Sequence, residues 1–366
     1  MGEKFKYGDW ELSLSPDSHP RTLMVEISTN CNYNCLHCFR NAVPNFKKCN
    51  MSYDTLELIL RKGMEAGVSK LVLSGWGEPS SNPKMIEMLR TAKELGFTVA
   101  LNTNGSALED MAEELVGLGV DEVFVSIDAY DIKLYRDIRK PGDLSKVMRG
   151  LKKLLELKIE KGSVKPQVNA IFTITKLNVG EVSRSIELTR DLGISEIRFS
   201  NYIHYPGGVD LSCIDDEGCL EKLKGELDLV PLKILEGGVK VVIPNLAPTT
   251  YRSCPFFSNR ALFIRCDGIV SPCIYYSRNW RTKVLGVERR INEVILGDIK
   301  REGLIDIWRK SYKMFFRLYF LRLPSCLDCN LVNYCLITRS NETDCWGNKP
   351  SCSHCPYLHG LSYCPL

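Results

Sequence analysis

Three cysteines near the start of the chain have a spacing that could hold an iron–sulfur cluster. Cys31, Cys35 and Cys38 form a C-x3-C-x2-C run directly after a predicted strand. Three thiolates this close in sequence can bind three irons of a [4Fe–4S] cube, and the fourth iron stays open to another ligand. A structural zinc site is the alternative, but zinc motifs usually contain two cysteine pairs, and only His37 or Cys49 could supply a nearby fourth ligand. The spacing therefore favours a cluster.

The number of cysteines is unusual for a chain of this size. There are 16 among 366 residues, and ten of them lie between Cys254 and Cys364. Disulfides in such numbers are typical of small secreted proteins, whereas a long chain in a reducing compartment more often uses its cysteines to hold metal. Cys49, Cys213 and Cys219 fall outside the clusters and are interpreted as ordinary buried or loop cysteines.

The overall composition excludes several classes of protein. Hydrophobic residues make up 44% of the chain and charged residues 25%, an ordinary globular composition with enough apolar residues for a sizeable core. The net charge of +4 gives no reason to expect nucleic-acid binding. Residues 1–10 are polar, and no stretch approaches about eighteen uncharged apolar residues. We therefore expect a cytoplasmic protein that neither carries a signal peptide nor spans a membrane.

Strands and helices alternate over residues 21–245. Short apolar runs, several of them rich in Val and Ile, predict buried parallel strands at 22–28, 70–73, 97–101, 122–127, 167–173, 196–200 and 240–243. Amphipathic stretches predict helices at 52–66, 83–95, 108–118, 144–161 and 180–192. A glycine follows several of these helices where a left-handed C-cap is expected, at Gly67, Gly96, Gly119 and Gly193.

This alternation predicts an α/β fold with a parallel sheet, either an open doubly wound sheet or a closed or partial barrel. In both arrangements ligands bind at the C-terminal ends of the strands. The alternation stops near residue 250, and the remainder contains one predicted helix, at 303–321, and needs metal to hold it together. We therefore predict an N-terminal segment 1–20, a β/α unit at 21–245 and a Cys-rich domain at 246–366.

The order of motifs along the β/α unit resembles that of the radical S-adenosylmethionine (SAM) superfamily. The resemblance rests on the C-x3-C-x2-C run, on segment 74–79 (Ser-Gly-Trp-Gly-Glu-Pro) after the second strand, and on the later segments 102–105 and 126–128. It implies a partial (β/α)6 TIM-like barrel whose open cluster iron is chelated by SAM. Reductive cleavage of SAM would then give a 5′-deoxyadenosyl radical that abstracts hydrogen from a substrate.

The same resemblance implies which residues contact SAM. Segment 74–79 is similar to the GGEP motif that meets the amino group of SAM, with Trp76 inserted between the two glycines. Segment 102–105 is similar to the T-N-G turn, and family members often place ribose or carboxylate contacts at the end of the fourth strand. An arginine could pair with the carboxylate, although an exposed helix charge is the alternative. The implied contacts are Gly75, Trp76, Gly77, Glu78, Asn104, Ser126, Asp128 and Arg139.

The C-terminal cysteines resemble the SPASM extension of radical SAM enzymes. Cys254, Gly268 and Cys273 fit the C-x(9–15)-G-x4-C pattern, and Asp267-Gly268 predicts a hairpin turn within Arg265–Cys273. By this resemblance, one auxiliary cluster would use Cys254 and Cys273 with a tail cysteine. The candidates for its remaining ligands are Cys266, Cys352, Cys355 and Cys364.

A second auxiliary cluster would use the next cysteines along the chain. Cys326, Cys329 and Cys335 fit the following part of the SPASM pattern, but the usual C-x3-C step is absent because position 339 is Arg. Cys345 is the candidate to replace it through a longer loop. A zinc ribbon is the alternative, since the tail contains two C-x2-C pairs. The expected cofactors are thus a SAM-binding [4Fe–4S] cluster, SAM, and one or two auxiliary clusters.

The substrate class is suggested by the tail alone. Segment 344–357 is similar to the tail of radical SAM/SPASM maturases associated with tungsten-containing aldehyde:ferredoxin oxidoreductases. This similarity implies a maturase that acts on a peptide, protein or protein-bound pterin cofactor and takes electrons from a ferredoxin-like donor. One alternative is a peptide-modifying SPASM enzyme that forms thioethers or matures sulfatases. An alternative of another class is a non-catalytic iron–sulfur or zinc-ribbon scaffold.

Overall fold

The computed structural model describes residues 4–13, 18–249, 251–320 and 322–366. Its strands are β1 (Lys4–Tyr7), β2 (Trp10–Ser13), β3 (Thr22–Val25), β4 (Lys70–Leu73), β5 (Thr98–Thr103), β6 (Glu122–Ser126), β7 (Gln167–Ile174), β8 (Glu196–Asn201), β9 (Lys240–Val242), β10 (Ala261–Ile264), β11 (Ile269–Ser271), β12 (Trp280–Val284), β13 (Val287–Ile291) and β14 (Gly297–Asp298). Its α-helices are α1 (Tyr53–Glu65), α2 (Met85–Glu94), α3 (Leu108–Gly117), α4 (Ile132–Ile138), α5 (Leu144–Glu160), α6 (Val182–Asp191), α7 (Glu217–Asp228), α8 (Val230–Leu235), α9 (Pro255–Ser258), α10 (Leu304–Lys310) and α11 (Tyr312–Tyr319). Within the described residues, none of these helices combines the length and the apolar character that a bilayer crossing requires.

Ten strands form one sheet in the order β14-β11-β10-β3-β4-β5-β6-β7-β8-β9. Strands β3 to β9 each run parallel to the next, and helices lie in the connections between them, as parallel pairing requires. These are the strands predicted from the apolar runs. Because β9 and β14 are the edges of the described sheet, the sheet does not close on itself, as expected of a partial barrel, and the predicted α/β fold class is confirmed.

Local signals in the sequence set the limits of several helices. Ser52 caps α1, and its hydroxyl oxygen accepts a hydrogen bond from the backbone N–H of Thr55 at 3.3 Å. The glycines predicted to end helices all have φ between 63° and 83°, the left-handed region that glycine enters without steric cost. Those residues are Gly67, Gly96, Gly119 and Gly193.

Three predicted helices differ clearly from the observed ones. Helix α6 starts two residues later than predicted, after a 3₁₀ turn at Val179–Glu181. Helix α2 starts two residues later than predicted, because Asn82 closes a tight turn in which its Oδ1 accepts from the N–H of Lys84 at 2.9 Å. The single helix predicted at 303–321 is two helices, α10 and α11, separated at Ser311. The Ser311 hydroxyl donates to the carbonyl of Trp308 at 2.6 Å, and a hydroxyl that bonds the backbone in this way often bends a helix. Leu321 lies outside the described residues.

The C-terminal part of the chain extends the same sheet. Strand β10 pairs in parallel with β3, with Phe263 opposite Met24, and β11 and β14 continue the sheet in antiparallel pairs. The hairpin predicted at Asp267-Gly268 is confirmed as the β10–β11 turn. The sequence did not predict β10 itself, nor the small hairpins β1–β2 and β12–β13. Residues on both sides of the predicted division at 245 therefore share one sheet.

The described part of the chain contains two disulfides. Cys49 is bonded to Cys266 across a sequence separation of 217, and Cys213 is bonded to Cys219 across a separation of 6. The first joins the loop after β3 to the β10–β11 turn. The expectation that Cys266 is a cluster ligand is wrong in this structure, because its sulfur is bonded to that of Cys49. The interpretation of the other three as ordinary cysteines is corrected in the same way.

Candidate active site

A cavity of about 240 Å³ lies at the C-terminal ends of the parallel strands. Its walls include polar residues from or directly after β4 to β8, namely Ser74, Asn102, Thr103, Ser126, Thr173, Ser200 and Asn201. The parallel direction of the strands brings these ends to one edge of the sheet, so motifs far apart in sequence meet in one space. The predicted position of the ligand site coincides with this cavity.

The loop after β3 presents its three cysteines to the cavity. Cys31, Cys35 and Cys38 all line it, and the N–H of Cys38 donates to the carbonyl of Cys35 at 3.1 Å. Arg40 anchors the loop by donating to the carbonyl of Tyr33 at 2.9 Å. Burial raises the pKa of the Cys35 thiol to about 12, and the nearby Cys38 and Cys31 act in the same direction. Three soft thiol donors on one short loop fit a cubane cluster with one open corner.

The Gly-Trp-Gly-Glu segment packs against this loop at close range. At Gly77 a side chain is excluded, since a Cβ there would lie 2.5 Å from the carbonyl oxygen of Ser28. Glu78 is buried, and its carboxylate accepts hydrogen bonds at 2.7 Å from the N–H of Asn104 and from the hydroxyl of Thr103. Burial raises the pKa of the Glu78 carboxyl, and these hydrogen bonds act in the opposite direction. Glu78 therefore joins the segments after β4 and β5.

Trp76, the departure from the GGEP pattern, connects the cavity to the C-terminal part of the chain. Its indole N–H donates to the hydroxyl of Ser277 at 2.9 Å. Its ring packs edge-on against Phe39, with centroids 4.5 Å apart, and against Trp280 at 5.6 Å. Its backbone N–H donates to the carboxylate of Glu26 at 2.9 Å. The inserted residue thus lies between the cysteine loop and the β12 strand.

Glu26 is a residue of the site region that sequence reasoning missed. It is fully buried just after β3, where it forms an ion pair with Arg278 and accepts a hydrogen bond from the N–H of Cys266 at 3.3 Å. A Cβ at Gly75 would lie 2.5 Å from its Cγ, so the glycine makes room for it. A single acidic residue inside the apolar run 22–28 was the available signal, because buried carboxylates require partners.

Asp128 and Arg139 form a buried pair behind the cavity. One carboxylate oxygen of Asp128 pairs with Arg139 and lies 3.3 Å from the imidazole of His37, and the other accepts from the N–H of Thr173 at 2.7 Å. Burial raises the pKa of Asp128, but Arg139 and His37 hold it below its ordinary value. Asp128 does not line the cavity, whereas Arg139 does. The structure therefore corrects Asp128 from a direct SAM contact to a residue that orients Arg139.

Five buried or half-buried cysteines of the C-terminal part are called here the inner cysteine group: Cys254, Cys273, Cys352, Cys355 and Cys364. Burial raises the pKa of every one of these thiols. The thiols of Cys254 and Cys355 further raise the pKa of both Cys273 and Cys364, which places them within electrostatic reach of one another. The group contains the expected Cys254 and Cys273 with three tail cysteines.

Four further cysteines, the outer cysteine group, lie on irregular chain: Cys326, Cys329, Cys335 and Cys345. Burial raises the pKa of Cys326 to about 12, and Cys345 and Cys335 act in the same direction, so both lie within electrostatic reach of Cys326. Cys329 and Cys345 are exposed. In neither group, nor elsewhere in the described ranges, are three His, Cys, Asp or Glu side chains arranged to hold one metal ion.

The chain's last residues also line the cavity, which the sequence did not predict. Tyr357, Ser362, Tyr363 and Pro365 all contribute to its wall. The side-chain amide of Asn102 donates to the carbonyl of Pro365 at 2.7 Å. No signal in the sequence indicated that a segment so far from β5 would return to it.

Comparisons with known proteins agree with this arrangement. Residues 25–189 match the family model of the radical SAM superfamily, and residues 254–330 match that of the SPASM iron–sulfur cluster-binding domain. The chain is 30% identical over 359 residues to the tungsten-containing aldehyde ferredoxin oxidoreductase cofactor-modifying protein of Pyrococcus furiosus, over 94% of this chain and 97% of that protein. The chain belongs to the radical SAM superfamily.

This radical SAM protein has further relatives. It is 25% identical over 301 residues to a probable GTP 3′,8-cyclase of Sulfurisphaera tokodaii, over 80% of this chain and 90% of that protein. The solved structure of native anSMEcpe with bound AdoMet has a TM-score of 0.63 at 19% identity, over 93% of this chain and 94% of that one. At that identity the likeness shows the fold, which is that of a radical SAM barrel with a C-terminal extension.

The cofactors follow from family membership. The radical SAM enzyme uses a [4Fe–4S] cluster and SAM, and its SPASM domain binds auxiliary iron–sulfur clusters. These are the cofactors that the sequence resemblance implied. The alternative of a non-catalytic scaffold is wrong.

Proposed function

We propose that this radical SAM enzyme modifies a tungsten-containing oxidoreductase or the cofactor of that enzyme. The observation that carries the proposal is the match, over 94% of this chain, to a protein named for modifying such a cofactor. That match spans both the barrel and the Cys-rich part. The substrate is then a protein or a protein-bound cofactor.

In this proposal Cys31, Cys35 and Cys38 hold three irons of the SAM-binding cluster. When bound, cluster and SAM together supply the reductive cleavage that generates a hydrogen-abstracting radical. Gly75, Trp76 and Gly77 line the cavity, and their backbone would meet the amino group of SAM.

The remaining cavity residues orient SAM and exclude water. Arg139, held in place by Asp128, is positioned to pair with the carboxylate of SAM. The side chains of Ser126 and Asn104 offer hydrogen bonds to its polar groups. Trp76 and its neighbouring aromatic rings close the side of the cavity that faces the C-terminal part, which protects a radical from solvent.

The two cysteine groups are proposed as auxiliary cluster sites. The outer group contains four thiols and the inner group five, so each can supply the four ligands of a cubane. A ferredoxin-like donor is proposed to deliver electrons at the outer group, because Cys329 and Cys345 are exposed. Reduced clusters require a reducing compartment, and we therefore propose the cytoplasm.

An anaerobic iron, sulfide and zinc count tests the cluster assignment. Wild type is compared with a Cys31→Ala, Cys35→Ala, Cys38→Ala variant, each assayed for dithionite-driven formation of 5′-deoxyadenosine. We expect the variant to lose about four irons and all cleavage. A Cys213→Ser, Cys219→Ser variant is the control, since those cysteines are bonded to each other, and it should keep both. Unchanged iron in the triple variant would refute the assignment.

The substrate is tested separately. Wild-type enzyme is incubated with SAM, reductant, and either the tungsten-containing oxidoreductase or its extracted cofactor. We expect faster 5′-deoxyadenosine formation and a mass change in one of the two. SAM cleavage could continue while neither candidate accelerates it and neither changes in mass. That result would leave the radical chemistry in place and reject the tungsten-enzyme substrate.

A further inference from the structure

Residues 361–366 form a segment that we call the C-terminal tail. Hydrogen bonds join this segment to the end of β8. The hydroxyl of Ser362 lies 2.9 Å from that of Ser200 and donates to the carbonyl of Asn201 at 3.0 Å. The backbone N–H of Tyr363 donates to the Ser200 hydroxyl at 3.0 Å. These contacts hold the tail against a strand end that lines the cavity.

The tail reaches across the cavity to other strands as well. The amide of Asn102 on β5 donates both to the hydroxyl of Ser74, at 3.0 Å, and to the carbonyl of Pro365, at 2.7 Å. The ring of Tyr363 lies under the guanidinium of Arg198, whose central carbon is 4.8 Å from the ring centroid. Since Tyr363 and Pro365 are themselves wall residues, displacement of the tail would change the shape of the cavity.

Between these two wall residues lies Cys364, which belongs to the inner cysteine group. It is buried, and Cys254, Cys273 and Cys355 are close enough to raise the pKa of its thiol. One short segment therefore contacts the reaction cavity through its neighbours and the inner group through its central cysteine. The tail physically connects the two sites.

We propose that Cys364 is a positioning residue whose attachment to the inner cysteine group holds the C-terminal tail in the barrel, so that occupancy of that group sets the shape of the SAM and substrate cavity. The proposal rests on the inner group being a cluster site, as proposed above. It gives the fifth thiol a purpose, because four ligands suffice for a cubane. An enzyme without the inner cluster would have a loose cavity wall and would bind SAM weakly.

The surplus of thiols provides a matched pair of variants. Cys364→Ala and Cys352→Ala each remove one of the five thiols and leave four for the cluster. Only the first detaches the tail. Each is compared with wild type by iron content, by hydrogen–deuterium exchange of a peptide covering the tail, and by equilibrium dialysis of SAM against the anaerobic protein.

We expect Cys364→Ala to exchange its tail amides at least about ten-fold faster than Cys352→Ala, since local opening controls exchange. We expect its dissociation constant for SAM to rise by about ten-fold, a loss of about 1.4 kcal/mol. Iron content should stay equal in the two variants. Equal tail exchange and equal SAM affinity in both variants would overturn the proposal.

A further variant tests the proposal without removing a thiol, in case the cysteine variants misfold. Ser200→Ala removes the two hydrogen bonds that the Ser200 hydroxyl makes with Ser362 and with the N–H of Tyr363, and it leaves every thiol in place, so iron content should match wild type. Faster tail exchange with weaker SAM binding supports the proposal, whereas faster exchange with wild-type SAM affinity overturns it. None of these measurements uses a substrate, so they stand even if the tungsten-enzyme proposal fails.

Discussion

The inner and outer cysteine groups use the same donor atoms on very different supports. In the inner group, Cys254 is the N-cap residue of α9, just before β10, and Cys273 follows β11, so both cysteines lie next to strands of the central sheet. The outer group lies within 322–366, where the only regular element among the described residues is a 3₁₀ turn at Ile337–Arg339. The inner group joins structures that already exist, whereas the outer group must organise its own segment. A cluster in the inner group would thus connect elements that are already folded, whereas a cluster in the outer group would stabilise a segment with little regular structure of its own.

The largest expected effect of this difference appears on iron removal. After anaerobic chelation, we expect amides in 326–345 to exchange at least about 100-fold faster, because few backbone hydrogen bonds remain to protect them. Amides of β10 and β11, paired in the sheet, should keep their protection. Hydrogen exchange with peptide mapping measures both in one sample. Similar loss of protection in the two regions would show that the outer segment is no more metal-dependent than the sheet.

The next effect concerns the disulfide that fastens the inner region to the cysteine loop. A Cys49→Ala, Cys266→Ala variant should lose about 5 kcal/mol of unfolding free energy, because this bond closes a loop with a sequence separation of 217. The matched control, Cys213→Ala with Cys219→Ala, opens a loop of separation 6 and should lose about 2 kcal/mol. Urea titrations of the oxidised proteins provide the numbers. A larger loss in the control would contradict the loop-length argument.

Thiol reactivity offers a third comparison. Burial raises the pKa of Cys355 to about 12, whereas hydrogen bonds involving Thr338 hold that of Cys335 below its ordinary value against the opposing effect of burial. In iron-free protein at pH 8, iodoacetamide should therefore modify Cys335 at least about 100-fold faster, since the thiolate is the nucleophile and the opening of segment 326–345 exposes Cys335 further. Above the pKa of Cys335 the ratio should shrink as pH rises, because only Cys355 still gains thiolate. Mass spectrometry of timed samples measures the two modification rates. Equal rates at Cys335 and Cys355 would show that the environments of the two thiols do not differ.

The smallest effect tests the contact between Trp76 and the C-terminal part. Trp76→Phe keeps a ring but removes the hydrogen bond to Ser277, which should cost about 1 kcal/mol in unfolding free energy. Trp10→Phe is the control, because that side chain is 80% exposed and should not matter. Urea titration of both is sufficient. No difference between them would mean that Trp76 does not couple the two parts.

The regular part of the fold was predictable because its signals are local. Apolar runs bounded by glycine predicted β3 to β9, and spacing alone brought Cys31, Cys35 and Cys38 together. Strand β10 was missed because its partner, β3, lies far earlier in the chain, and no local pattern encodes such pairing. Similarly, the SPASM resemblance assigned Cys266 to a cluster, and its disulfide was missed because the partner, Cys49, is 217 residues away.

Side-chain direction was the second limit. Asp128 stands at a strand end, as predicted, but its carboxylate faces Arg139 and the N–H of Thr173 rather than the cavity. The role of Glu26 and the return of the C-terminal tail also depend on contacts between distant segments. Residue type and spacing identified the chemistry of the site, and only the folded chain determined which groups face it.

The pairing of β3 with β10 has a consequence for how the enzyme is made. One edge of β3, the first strand of the barrel, has no partner strand until β10, which ends at Ile264, has left the ribosome. An unpaired apolar strand is a template for association with other chains, so a fragment ending near residue 245 should aggregate. The β/α part of the chain, up to about residue 245, is therefore not an independently folding domain to which the Cys-rich part is merely added. During synthesis it must wait for the segment that carries the additional cysteines, and the two become functional together.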